Sequence, residues 1–242
     1  MADLRNYQSR AQTGEMIDQG LRAYMLKVYN LMALGLAITG VAAYLGFNFA
    51  VQDEQLTQFG VLLFQSPLRW VVILAPLAAV FFLSFRINSM SVAAAQTTFW
   101  VYAGLVGLSL SSIFLVYTGQ SVVQTFFVTA ASFGALSLYG YTTKRDLSAM
   151  GSFLVMGLFG LIIASIVNVF LASSAMQFAI SVIGVLIFAG LTAYDTQRIK
   201  ELYLEADDVA VAGRKAIMGA LTLYLDFINL FMFLLQFMGN RK

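Results

Sequence analysis

Beyond residue 23 the chain alternates between long apolar runs and short polar connectors, with no break that would mark a second domain. A helix needs about 20 mostly apolar residues to cross the hydrocarbon layer of a bilayer. Seven runs meet that need, at residues 24–47, 70–85, 99–117, 122–141, 151–172, 178–194 and 216–238. The pattern predicts an all-α polytopic membrane protein: a seven-helix transmembrane domain over residues 23–239, behind a polar N-terminal tail at residues 1–22. The second run is the shortest and holds Pro76, which predicts a kink or a change of tilt there. Gly119-Gln120 and Ser173-Ser174 read as tight uncharged turns, whereas Lys144-Arg145-Asp146 and residues 196–214 read as charged connectors.

Composition supports the membrane assignment. Charged residues make up 11% of the chain and hydrophobic ones 60%, against roughly 25% charged in a soluble domain. Such a chain cannot cover its own surface in water. Cysteine and histidine are both absent, which excludes disulfides, thiol catalysis, the usual zinc sites and Ser-His-Asp chemistry. Proton or cation chemistry here must be carboxylate chemistry, and hard cations such as calcium are compatible with it. Residues 1–22 lack a short apolar core with a cleavage site, so no cleaved signal is expected.

Basic residues orient the bundle. With a cytoplasmic N-terminus, the inner segments hold Arg5, Arg10, Arg22, Lys27, Arg86, Lys144, Arg145, Arg198, Lys200, Arg214 and Lys215, and the outer ones only Arg69, Arg241 and Lys242. Seven crossings then place the C-terminus outside. Gly104 with Gly107, Ala130 with Gly134, and Gly157 with Gly160 read as close helix-packing positions. Tyr24, Tyr29, Trp70, Trp100 and Tyr141, near run ends, read as interfacial anchors.

Three charged residues need an explanation. Asp226 lies inside LYLDFINLF at residues 223–231, apolar on both sides. A carboxylate at that depth costs on the order of 2.5–3.5 kcal/mol on insertion scales, so it should face a polar interior or a partner. The plainer alternative is a protonated, hydrogen-bonded structural Asp. Asn229 follows on the same helical face. Asp195 ends the sixth run, in AYDTQRI at residues 193–199. It is solvated, or paired with Arg198 or Lys200, or else held within the bundle if the helix continues through residues 201–204. Arg86 ends the second run; alone it would be an ordinary interfacial anchor. Helices two, six and seven can bring all three toward the cytoplasmic half.

If the two aspartates approach, they cannot both stay charged cheaply in a low-dielectric site, and they share a proton. A neighbouring Arg86 favours the doubly ionised state. Protonation then weakens its hold and frees helix two, a two-state element biased by pH. The same carboxyls offer oxygen ligands to a passing calcium ion.

LYLDFINLF in the last helix and AYDTQRI in the penultimate one resemble the Bax inhibitor family of transmembrane proteins, in its bacterial branch. The resemblance runs from about residue 24 to 239. It implies a seven-helix bundle with the last helix central, in a bacterial inner (plasma) membrane, acting as a pH-sensitive passive calcium leak. Its paired aspartates correspond to Asp195 and Asp226, which are also the calcium-binding candidates, and its latching arginine corresponds by position to Arg86. Asn229, Tyr224 and Arg198 stand as supporting polar groups. The implied partners are lipid, protons and calcium ions; no tightly bound cofactor and no nucleic acid are expected. Residues 196–214 look long for that branch. Their Glu205, Asp207 and Asp208 read as solvated acidic surface or as a cation-gathering site.

Two other classes remain. The tail at residues 1–22 could engage a membrane protease or other quality-control partner, as some bacterial relatives do. Tyr194-Asp195 and Leu225-Asp226 on consecutive helices also resemble the motifs of intramembrane aspartyl proteases. Leu223 and Leu225 stand where that chemistry needs glycine, so a non-enzyme is expected.

Overall fold

The computed structural model describes the backbone of residues 2–53 and 55–242, and the side chains of 19–53 and 55–242. Seven helices among the described residues are long and apolar enough to span a bilayer. They are α1 (Ala2–Ala50), α3 (Leu68–Arg86), α4 (Val92–Leu110) continued by α5 (Ile113–Val116), α6 (Gly119–Thr142), α7 (Ser148–Leu171), α8 (Ser174–Glu201) and α9 (Val209–Met238). A two-residue hairpin, β1 (Val51–Gln52) with β2 (Gln55–Leu56), and the short α2 (Gln58–Phe64) fill the connection between α1 and α3. Most of the polar tail expected at residues 1–22, the segment that could engage a protease or quality-control partner, lies outside the residues whose side chains are described.

α9 is the axis of the bundle. In its most apolar window 61% of residues are buried, against 11% in α3 and α7. It packs against α8, α1, α6 and α4, while α7 packs chiefly on α8 and α3 chiefly on α4. Leu223, Tyr224 and Leu235 of α9 have no exposure at all. The outer helices instead present Phe153, Phe159, Val169 and Phe170 to their surroundings, as lipid-facing positions should.

Helix ends depart from the apolar runs in instructive ways. α8 continues to Glu201 and α9 already starts at Val209, so the expected charged connector at residues 196–214 shrinks to seven residues, 202–208. Two of its acidic side chains are satisfied locally. Asp208 caps α9 by accepting from the Val211 amide at 2.7 Å, and Asp207 pairs with Lys215 at 2.5 Å. α3 runs unbroken through Pro76. Tyr24 is buried against Tyr203 rather than sitting as an interfacial anchor, with ring centroids 5.6 Å apart. At the start of α7, the Ser148 hydroxyl beside exposed Asp146, and then the Ser148 amide that donates to it at 2.8 Å, hold its carboxyl below the usual range.

Close backbone approach is real at some glycines and absent at others. Gly107 lies against the Thr39 backbone and Ala42, whereas Gly134 and Gly160 face open space. Gly140 of α6 touches the Ala193 backbone of α8, so no side chain fits between them. Gly140→Val should therefore push α6 from α8 and cost about 1–3 kcal/mol, as overpacking does. The check is the thermal unfolding midpoint in detergent, with Gly134→Val as the unaffected control.

Candidate functional site

Asp195 and Asp226 are 31 positions apart in the chain, yet the antiparallel packing of α8 on α9 brings their carboxyl groups within side-chain hydrogen-bonding reach. Because α8 extends six residues past Asp195 to Glu201, this aspartate lies inside the helix, not at a solvated end. It is half-buried, and Asp226 is only 5% exposed. Oδ2 of Asp226 is buried with no hydrogen-bond partner among the described residues. One proton shared between the two carboxyls lets one donate to the other in a medium where two bare charges would repel strongly.

Neighbouring side chains fix the frame of α8. Gln197 donates from Nε2 to the Arg145 carbonyl at 2.8 Å and accepts from the Leu147 amide at 2.9 Å, tying α8 to the α6–α7 turn. Lys200 donates to the Tyr141 carbonyl at 2.8 Å, so it is not a partner of Asp195. Arg198 is exposed; it acts on Asp195 through space and forms no ion pair among the described residues. A hydroxyl chain, unforeseen from sequence, joins Tyr29 of α1 to Ser137 of α6 at 2.7 Å and Ser137 to Thr196 of α8 at 2.9 Å. Spacing cannot reveal it, because serine and threonine are unremarkable in membrane helices and their partners lie on distant segments.

The other expected site residues divide. Asn229 lines the same cavity as Asp226, its Nδ2 donating to the Leu225 carbonyl at 2.8 Å. Tyr224 points the other way. Its hydroxyl meets Thr39 Oγ1 at 2.6 Å, and Thr39 in turn donates to the Ala103 carbonyl. Tyr224 thus joins α9 to α1 and α4 and does not support the carboxyl pair. Arg86 is exposed at the end of α3, with no ion pair among the described residues. The 3-10 turn after it, Ile87–Ser89, touches α9.

A calcium ion takes six to eight oxygen ligands, and no group of three or more acidic side chains gathers among the described residues. Two carboxyls suit an ion in transit better than one held in residence.

The family model described as "Inhibitor of apoptosis-promoting Bax1" matches residues 21–242. The chain belongs to the Bax inhibitor family. It is 48% identical over 242 residues to a Rickettsia prowazekii protein, covering the whole of both chains. It is also 48% identical over 225 residues to the inner membrane protein YbhL of Escherichia coli, covering 92% of this chain and 94% of that one. A membrane protein of Streptococcus pyogenes is 36% identical over 223 residues, covering 92% and 95%. This member of the Bax inhibitor family is accordingly an integral, multi-pass membrane protein.

Proposed function

We propose that this Bax inhibitor family member is a passive, proton-gated cation leak of a bacterial inner membrane, calcium being its cargo. The N-terminus is cytoplasmic in this reading and the C-terminus outside. The observation that carries it is the carboxyl pair of buried Asp226 and half-buried Asp195, between α8 and α9 in a bundle otherwise poor in charge, with one Asp226 oxygen unpartnered. An intramembrane carboxylate with spare acceptor capacity is a usual mark of an ion or proton route. The relative named as an inner membrane protein supports the compartment, and the eleven-to-three division of basic residues supports the orientation.

In this mechanism the pair titrates as one unit. The bundle opens or closes as its shared proton is lost or regained. Arg86 can act as a latch only if α3 shifts toward α9, since in the present arrangement it stands apart from the pair.

Reconstitution into liposomes with an entrapped calcium indicator tests the reading. Wild-type protein should pass calcium down its gradient without a counter-transported species, with a rate that depends on pH. Asp226→Asn and Asp195→Asn should each flatten that pH profile. A silent wild type, or an Asp226→Asn variant with an unaltered profile, rules the mechanism out.

A further inference from the structure

One face of α9 carries Asp226, Asn229, Phe233 and Gln236, at spacings of three, four and three residues, which aligns them along the helix. They span about 15 Å of it at 1.5 Å per residue. Beside Asp226 and Asn229 a cavity of about 530 Å³ lies between α7 and α9 with α8 as its floor. Thr222 and Ser165 add hydroxyls to its wall, and Phe188 and Phe233 also line it. Asp226, 5% exposed and with an unpartnered oxygen, is its most polar group.

Phe233 stands between this cavity and a second polar cluster. Its ring stacks on Phe188 with centroids 5.7 Å apart and planes at 23°, and it rests on Gly184, where a Cβ would collide with it. Past it, Gln236 accepts from Gln177 Nε2 at 2.8 Å and from Ser181 at 3.3 Å, while Asn168 donates to Gln177 at 3.2 Å. This amide cluster lies at the end of the bundle where α9 terminates. Amides inside a membrane can simply join helices. Here they continue a polar stripe that starts at a buried carboxyl with one unpartnered oxygen and is interrupted by one aromatic pair.

We propose that this stripe is the route for water and cations between the carboxyl pair and the face on which α9 ends, and that Phe233 stacked on Phe188 is the barrier closing it. The inference rests on the leak reading for its cargo but not for its geometry. Hydrophobic constrictions close pores by excluding water, and an aromatic pair seated on a glycine can swing away without breaking a hydrogen bond.

The natural absence of cysteine permits a direct test with full-length single-cysteine variants in proteoliposomes and a membrane-impermeant thiol reagent. Gln236→Cys should react readily from the α9-terminal face and Asn229→Cys slowly. Adding Phe233→Ala should speed Asn229→Cys labelling, and raise calcium flux, on the order of tenfold or more by removing the constriction. Ala220→Cys, buried on another face of α9, should stay unreactive in the same background. Gly184→Ala, which displaces the ring without truncating it, should act in the same direction and serves if Phe233→Ala is not recovered. Slow Asn229→Cys labelling in both variants overturns the barrier, whether or not the wild type leaks. Faster labelling without any calcium flux upholds the barrier and counts only against the calcium leak.

Discussion

Tyr224→Ala should destabilise the protein more than any other single truncation of α9, while Tyr224→Phe should cost much less. The side chain is fully buried, with its ring edge-on to Phe99 and Tyr102 at centroid distances of 5.7 and 5.6 Å. Truncating a buried aromatic to alanine costs about 3–5 kcal/mol in protein cores. In a membrane the transfer part of that cost is smaller, but the void still forfeits packing, which is what holds membrane helices together. Removing only the hydroxyl loses its 2.6 Å bond to Thr39, worth about 1 kcal/mol net. Thr39 keeps its bonds to the Gly35 and Ala103 carbonyls, so nothing is left stranded. Thermal unfolding in detergent measures both. Because Tyr224 faces α1 and α4, Tyr224→Phe should keep the wild-type pH profile of flux. A flattened profile would return it to the carboxyl site.

Asp226→Leu should make the protein more stable and remove its pH response. A carboxyl near the centre of a spanning helix costs about 2.5–3.5 kcal/mol on insertion scales, whereas leucine there is favourable by about 0.5 kcal/mol. Asp226 recovers part of its cost from Asp195, but one of its oxygens stays unpartnered, so a net gain should remain on replacement. Natural proteins commonly carry such destabilised sites where function needs them. Unfolding midpoints decide the sign. A marked loss of stability in Asp226→Leu would identify the residue as a structural, hydrogen-bonded Asp and remove the basis for a sensor. Asp195→Leu should gain less, since Asp195 is only half-buried.

The crossings were readable because each must satisfy its own backbone inside lipid, and only a long apolar helix does so. Their ends were less readable. Gln197, Lys200 and Asp208 look like connector residues by polarity, yet two belong to α8 and the third caps α9. Each is satisfied by a specific acceptor or donor: Gln197 by the α6–α7 turn, Lys200 by the Tyr141 carbonyl, Asp208 by the Val211 amide. The partners of Gln197 and Lys200 lie 50 to 59 residues away, beyond the reach of local periodicity. Tyr224 shows the same limit from another side. Two residues before Asp226, it shares the motif but faces a different neighbour, because adjacent helical positions turn by about 100°.

Apolar run length, the scarcity of charge and the lack of cysteine and histidine dictate a helical membrane protein without thiol or imidazole chemistry. These follow from the cost of placing backbone and charge in hydrocarbon, which every segment meets on its own. That Asp195 meets Asp226 and that Phe233 covers Gly184 are consequences of how α8 and α9 cross, and that Arg86 stands aside follows from α3 packing on α4. Helix packing is governed by contacts between segments distant in the chain, and no local pattern specifies which faces will touch.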